Sequence, residues 1–302
     1  MKSDRARAEG LLLIVVLIWG SNYPLMKFGL AGMDQLVFNA LRYVVASIVL
    51  IVVFAFRSKW KAIEPGDWKR VIWAGMVSSV FYQILFMFGL SYTSAGNSAV
   101  LVSTFPLWTV LINAVVYKEK ISRTLWLGLL VSFFGVVLII IGSGKKLALG
   151  KYEIIGDCVS LVAAVFWGYS MNLQQPLLKK YSAHQLALIM IAVGGVVLPL
   201  TAISGALATN WSVVQWKYLG AGIYSGIFSV AIGNVLWTNG IGRIGPAKTA
   251  NFNNLVPVIA LAVAYFFLRE NLYTIQIVGA AITIVGVYVA RRAKAIEGVE
   301  EG

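Results

Sequence analysis

The side chains able to do chemistry in this chain are few, and they are set inside apolar runs. Asn22, Asn234, Asn253 and Asn254 are amides, Tyr23 and Tyr82 phenols, and Trp19, Trp167 and Trp237 indoles. Arg42 is a cation placed well inside an apolar segment. Trp19, Asn22 and Tyr23 share one helical face by their i, i+3, i+4 spacing, as do Asn234, Trp237 and Thr238. An amide in hydrocarbon without a partner costs several kcal/mol, so these side chains must point at one another or at a wet cavity. Together they would make a mostly apolar pocket with a few converging amides, the usual character of a small-molecule site. That composition suits a zwitterionic or weakly charged solute with an apolar part, such as a hydrophobic amino acid. For any single Asn, interhelical hydrogen bonding is the alternative to a substrate contact. Trp19 and Trp167 either wall a ligand or fill the gap where a neighbouring glycine lets helices approach. Arg42 either meets a carboxylate, gates through an ion pair, or snorkels its charge to the outer surface.

Other chemistries lack material. The sequence has one histidine, His184, and one cysteine, Cys158, so no histidine cluster can hold a metal and no internal disulfide can form. No Asp or Glu sits mid-span: Asp157 is one turn into a segment, and Glu119 and Glu270 lie at segment ends beside Lys118 and Arg269. A carboxylate proton relay and a nucleophile–base pair are therefore both missing, which disfavours a membrane-embedded enzyme. No cofactor is expected. The net charge of +13 would suggest nucleic acid in a soluble protein, but not in this one.

The elements that must position these residues are membrane helices. The 302 residues are 59% hydrophobic and 12% charged, with a mean hydropathy of +0.82. Such a chain cannot cover its surface with charge, so its solvent is lipid. A helix needs about 20 apolar residues to cross the bilayer. That length predicts ten spans, at 10–28, 34–56, 71–92, 97–117, 125–142, 153–178, 183–204, 217–240, 247–268 and 273–291. The charged start followed by an apolar run reads as a retained first helix, not a cleaved signal. Ten spans put both termini on one side, which collects 18 of the 25 Lys and Arg against six opposite. This asymmetry places both termini in the cytoplasm and residues 144–151 outside.

The chain also repeats itself. A shift of 151 aligns Gly89, Ala99, Pro106, Glu119, Gly128 and Gly135 with Gly240, Ala250, Pro257, Glu270, Gly279 and Gly286. Earlier the shift is 148, which brings Trp19-Gly20 onto Trp167-Gly168 and Trp68-Lys69 onto Trp216-Lys217. Three extra residues therefore enter the second half between Trp216 and Gly240. The expected fold is all-α, with ten transmembrane helices in two five-helix repeats, residues 10–142 and 153–291. Five is odd, so the second repeat starts on the opposite face and the two are inverted, an arrangement typical of secondary transporters. Pro106 and Pro257 fall at equivalent places near the middle of the fourth and ninth spans, where each removes a backbone donor and breaks or bends its helix.

These residues carry a resemblance. Ile18-Trp19-Gly20-Ser21-Asn22-Tyr23, Arg42-Tyr43, Pro106 with Glu119, Gly128 and Gly135 appear in order. Gly156-Asp157, Phe166-Trp167-Gly168, Pro257, Glu270, Gly279 and Gly286 repeat the theme. In this order and spacing the chain resembles the drug/metabolite transporter superfamily, specifically its EamA branch. The resemblance implies a prokaryotic plasma-membrane carrier of small organic metabolites, often working outward. Its partners would be a small-molecule substrate and the lipid bilayer, with no nucleic acid, and a homodimer is left open. The runner-up is a carrier of a lipid-linked or amphipathic drug-like substrate.

Overall fold

The computed structural model describes residues 2–57, 60–92, 101–142, 151–212, 214–268 and 272–293, and they form helices and connecting turns without a strand. In chain order the helices are α1 (Lys2–Leu30), α2 (Gln35–Arg57), α3 (Trp68–Gly75), α4 (Tyr82–Tyr92), α5 (Phe105–Val115), α6 (Arg123–Ile141), α7 (Lys151–Leu178), α8 (Ala183–Thr201), α9 (Ile203–Ala208), α10 (Trp216–Tyr224), α11 (Asn234–Ile244), α12 (Pro246–Phe252), α13 (Val256–Leu268) and α14 (Thr274–Arg292). A π-helical stretch, Met76–Phe81, joins α3 to α4, and a second, Ser225–Gly233, joins α10 to α11.

The helix boundaries repeat along the chain. α2 and α8 begin 148 residues apart, as do α3 and α10, while α6 and α14 are both 19 residues long and lie 151 apart. The caps repeat too. Asp34 Oδ1 accepts from the backbone N–H of Leu36 and Val37 at 2.9 and 3.1 Å. Its equivalent, Ser182, accepts from Gln185 N at 3.2 Å. Each satisfies donors that the first turn of a helix cannot satisfy itself. The three extra residues of the second half go into the π-helical stretch, which is nine residues long against six in the first. A π-helix takes more residues per turn, so it absorbs an insertion without displacing the helix beyond it.

Among the described residues eight helical runs are long and apolar enough to cross a membrane, counting each π-helical stretch with the helices it joins. The fourth and ninth predicted spans differ. Before Pro106 the chain turns at residues 103–104, and Pro106 then stands in the first turn of α5. Before Pro257 a 3-10 turn, Asn253–Leu255, interrupts the run, and Pro257 opens α13. Proline tolerates a helix start and not its interior, so of the break or bend expected at each proline the structure has a break, just ahead of it. The predicted loop at 144–151 falls almost wholly outside the described residues, as do Arg269 and Glu270.

The chain forms two compact units, Met1–Met87 with Leu173–Ile244, and Phe88–Asn172 with Gly245–Gly302. In the first, Gly194 lies against Tyr43 and Ser79, while Ser47 Oγ donates to Ile191 O at 3.2 Å, so α8 runs antiparallel to α2. Gly75 lies against Met190 and Val193, so α3 and its π-helical continuation run parallel to α8. Gly222 meets Leu41 and Gly226 meets Val45, so the second π-helical rod runs parallel to α2. The third-helix rods of the two repeats therefore point in opposite directions.

The second unit is held by α6 against α14, again antiparallel. Gly128 faces Ala290, Gly135 faces Thr283 and Gly142 faces Ile275. A Cβ on Gly128 or Gly286 would overlap the backbone of Ala290 or Ser132. Small residues let the two backbones touch, which is how helices gain dispersion energy where lipid removes the hydrophobic drive.

In the first unit the α2–α3 connection is pinned to the α7–α8 turn. Lys180 Nζ donates to Glu64 Oε2 at 2.6 Å and to Asp67 Oδ2 at 3.0 Å, and Tyr181 OH donates to Asp67 Oδ2 at 2.8 Å. The hydrogen bonds from Lys180 and Tyr181 hold the Asp67 carboxyl below the usual carboxylate range, and those to Glu64 and Asp67 raise Lys180. With its folded pKa depressed, Asp67 contributes stability above its unfolded pKa of about 4, and that contribution is lost as pH falls through the folded value.

Two outcomes follow from this packing. Gly286→Leu should drive α6 and α14 apart and sharply reduce the monodisperse fraction in detergent after heating, read by size-exclusion chromatography. Asp67→Asn should lower the melting temperature at neutral pH and flatten its acid dependence below about pH 4, read by thermal scans across pH.

Candidate functional site

The second π-helical stretch gathers more of the expected residues than any other described element. Its wider turns pair N–H groups with carbonyls five residues back, leaving other carbonyls open to side chains. The Trp19 indole donates to Ser229 O at 3.1 Å, and Asn234 Nδ2 donates to Val230 O at 2.8 Å. Gly233 makes room for the indole, since a Cβ there would stand 2.6 Å from Trp19 Nε1. The rings of Trp19 and Trp237 lie 4.9 Å apart. One turn away on the same stretch, Ser225 Oγ accepts from Arg42 Nε at 2.8 Å. Arg42 is 5% exposed, and its Nη1 donates to Asn39 Oδ1 at 3.2 Å. The guanidinium is thus held inside the unit by polar partners. Trp19, Arg42, Asn234 and Trp237 are brought together in this way.

Asn22, one turn beyond Trp19 on α1, is buried, and its Oδ1 has no hydrogen-bond partner among the described residues. The same holds for Trp237 Nε1 and Asn39 Nδ2. Tyr23 lies on α1, but its side chain is outside the described set. Around the first π-helical stretch, the Tyr43 hydroxyl hydrogen-bonds with Ser79 and Gln83. Tyr82 follows that stretch with its ring stacked 5.9 Å from Phe86.

Three expected residues belong to the second unit. Asn254 Nδ2 donates to Ser132 Oγ at 2.7 Å, and that hydroxyl lies 3.2 Å from Asn251 Oδ1, so the ninth-helix amides tie into α6. Asn253 opens the 3-10 turn and is half-buried. Trp167 packs edge-on against Phe105 with centroids 6.2 Å apart, beside Gly168, where a Cβ would stand 2.9 Å from Thr109 N. Among the described residues no group of three His, Cys, Asp or Glu could hold a metal.

Sequence reasoning missed Asn39, Ser225 and Ser229. The spacing of Asn39 to Arg42, one turn on one face, was a usable signal. Ser225 and Ser229 looked like ordinary small residues, and the local three-residue insertion was the only pointer to them.

The EamA-like transporter family matches residues 6–141 and again 154–292. The chain belongs to that family. The two matched segments begin 148 residues apart and end 151 apart, the same register as the helix boundaries. This EamA protein is 25% identical over 288 residues to the uncharacterized transporter YyaM of Bacillus subtilis, covering 93% of this chain and 92% of that one. It is 27% identical over 288 residues to a protein of Streptantibioticus cattleyicolor named a probable terminal-alkyne amino-acid exporter, covering 95% and 94%. A solved crystal structure superposes with a TM-score of 0.78 at 16% identity, over 95% of this chain and 97% of that one, which shows the shared fold. The protein is a multi-pass membrane transporter of a small molecule. In this EamA transporter, Trp19→Phe keeps an aromatic ring, though a smaller one, and deletes the N–H that satisfies Ser229 O. It should lower stability by about 1 kcal/mol, read as a reduced melting temperature with folded yield retained.

Proposed function

We propose that this transporter exports small zwitterionic solutes with an apolar part, hydrophobic amino acids above all, across the plasma membrane. The observation that carries this reading is the polar and aromatic cluster around the second π-helical stretch: a buried guanidinium, two indoles in tilted contact and amides set in apolar surroundings. A small amphipathic molecule needs those three kinds of contact. The antiparallel course of equivalent helices supports inverted repeats, and inverted repeats support alternating access around a midplane site. The excess of Lys and Arg on the terminus side supports cytoplasmic termini. The Streptantibioticus relative's name supports amino acids as the solute class. Trp19, Asn22, Tyr23, Arg42, Tyr82, Asn234 and Trp237 are the proposed contacts in the first unit, and Trp167, Asn253 and Asn254, with breaks at Pro106 and Pro257, are the candidates in the second.

The test is growth rescue of cells against toxic levels of individual amino acids, followed by efflux of the radiolabelled hit. Expression should rescue growth on hydrophobic members and speed their efflux. Asn22→Ala should cut efflux several-fold with folded yield near normal. Rescue by none of the amino acids would refute the solute class.

A further inference from the structure

We infer that the lipid-facing side of α3 holds one anionic phospholipid, with its headgroup at Lys69 and an acyl chain in the hollow beside Trp68 and Trp73. The inference is independent of the solute proposed above.

The run Trp68–Gly89 is long and apolar enough to cross a membrane, and α3 opens it. One side of α3 packs within the first unit. Val71, Ala74 and Gly75 are buried there, the first two in a cluster with Leu186, Ile189 and Met190 of α8. The other side carries Trp68, Lys69, Ile72, Trp73 and Met76, which line a hollow of about 370 Å³. Trp68, Ile72 and Trp73 are exposed. The Trp73 ring is braced edge-on by Phe81, with centroids 5.8 Å apart, so one wall of the hollow is set before anything enters it. A hollow that faces lipid does not stay empty. Its lining would forfeit dispersion contacts that a hydrocarbon chain restores.

The two ends of the hollow differ. Lys69 and Met76 are seven residues apart, about 10 Å along the axis. The Met76 end leads into the apolar run, and the Lys69 end adjoins the ionic cluster around Asp67. Positive charge is in surplus there. Lys180 hydrogen-bonds both acids, Glu64 and Asp67. Lys61 Nζ donates to Lys180 O at 3.1 Å, and Arg70 reaches Asp67 at 3.8 Å. With Lys69 that makes four cations to two carboxylates. A molecule with an anionic head and a hydrocarbon tail matches both ends. A zwitterionic headgroup would bring its own cation to this surplus and gain less. The excess of Lys and Arg supports a cytoplasmic position for this end, the leaflet face where anionic lipids attract basic residues.

The repeat supplies a contrast. Lys69 corresponds to Lys217, whose ammonium lies over the rings of Tyr218 and Phe28 at 5.1 and 5.7 Å. That cation is engaged by rings within the chain. Ile72 and Trp73 correspond to Gly220 and Ala221, which are too small to wall a hollow. The shared Trp-Lys pair thus serves internal contacts in the second repeat and faces lipid in the first.

The experiment is native mass spectrometry of the purified full-length transporter in detergent. It is titrated with dioleoyl phosphatidylglycerol or with dioleoyl phosphatidylcholine, which has the same chains. The first phosphatidylglycerol should bind several-fold tighter than the first phosphatidylcholine. Lys69→Gln should weaken it roughly five-fold, while Lys217→Gln should leave it unchanged. Trp73→Ala removes a wall and should also weaken it several-fold. Excess glycerol 3-phosphate, a headgroup without chains, should not displace it. Melting temperatures near that of the wild type will show that these lipid-facing variants are folded. If Trp73→Ala does not fold, Lys69→Gln decides. A wild type without preference for phosphatidylglycerol, or a Lys69→Gln variant that keeps it, overturns the inference. An equal loss in Lys217→Gln assigns the binding to general surface charge and overturns it too. Displacement by glycerol 3-phosphate overturns the part given to the hollow.

Discussion

In hydrocarbon a backbone carbonyl cannot turn to water, so wherever a chain leaves the α-helical ladder something else has to satisfy it. Most of the arrangement described here follows from that demand. Among the described residues the apolar helices depart from the ladder at Met76–Phe81, residues 103–104, Ser225–Gly233 and Asn253–Leu255. These are two equivalent pairs, one in the third helix of each repeat and one in the fourth. At 103–104 the Thr104 N–H and hydroxyl both donate to Leu101 O, at 3.1 and 2.5 Å. At Ser225–Gly233 one donor comes from far along the chain, Trp19 to Ser229 O, and one from the next turn, Asn234 to Val230 O. Polar side chains accumulate at these departures because the backbone there needs them.

The two units meet their packing demands differently. In the second, α6 and α14 approach at glycines until backbone meets backbone, and Ser132, Asn251 and Asn254 add hydrogen bonds to the contact. Such an interface has one good register and tolerates little added volume. In the first unit, α2 sits among rods that include both π-helical stretches, and its adjacent residues Arg42 and Tyr43 reach one stretch each. The ionic cluster of Glu64, Asp67, Lys180 and Tyr181 adds an asymmetry. The positions equivalent to Lys180, Glu64 and Asp67 by the repeat are Gly32, Ser212 and Gln215, which carry no charge. The repeats share a backbone plan without sharing this clamp.

Much of this plan was legible along the chain. Membrane residence followed from composition, because 12% charged residues cannot solvate so large an apolar surface. The repeat, its two shifts and its three-residue insertion were readable because Trp, Pro and Gly tolerate few environments and so mark position. The polar residues worth attention were also visible, since an amide in an apolar run needs a reason to be there. What the chain order could not supply was the form of the insertion, the exact side of each proline on which its helix breaks, and the partners of each polar group. Whether three extra residues become a loop or a π-helical stretch depends on which side chains from other helices reach the freed carbonyls. Trp19 is 210 residues from Ser229, and Arg42 is 183 from Ser225. Partnerships over such separations are set by packing between helices, and only the tertiary structure decides them.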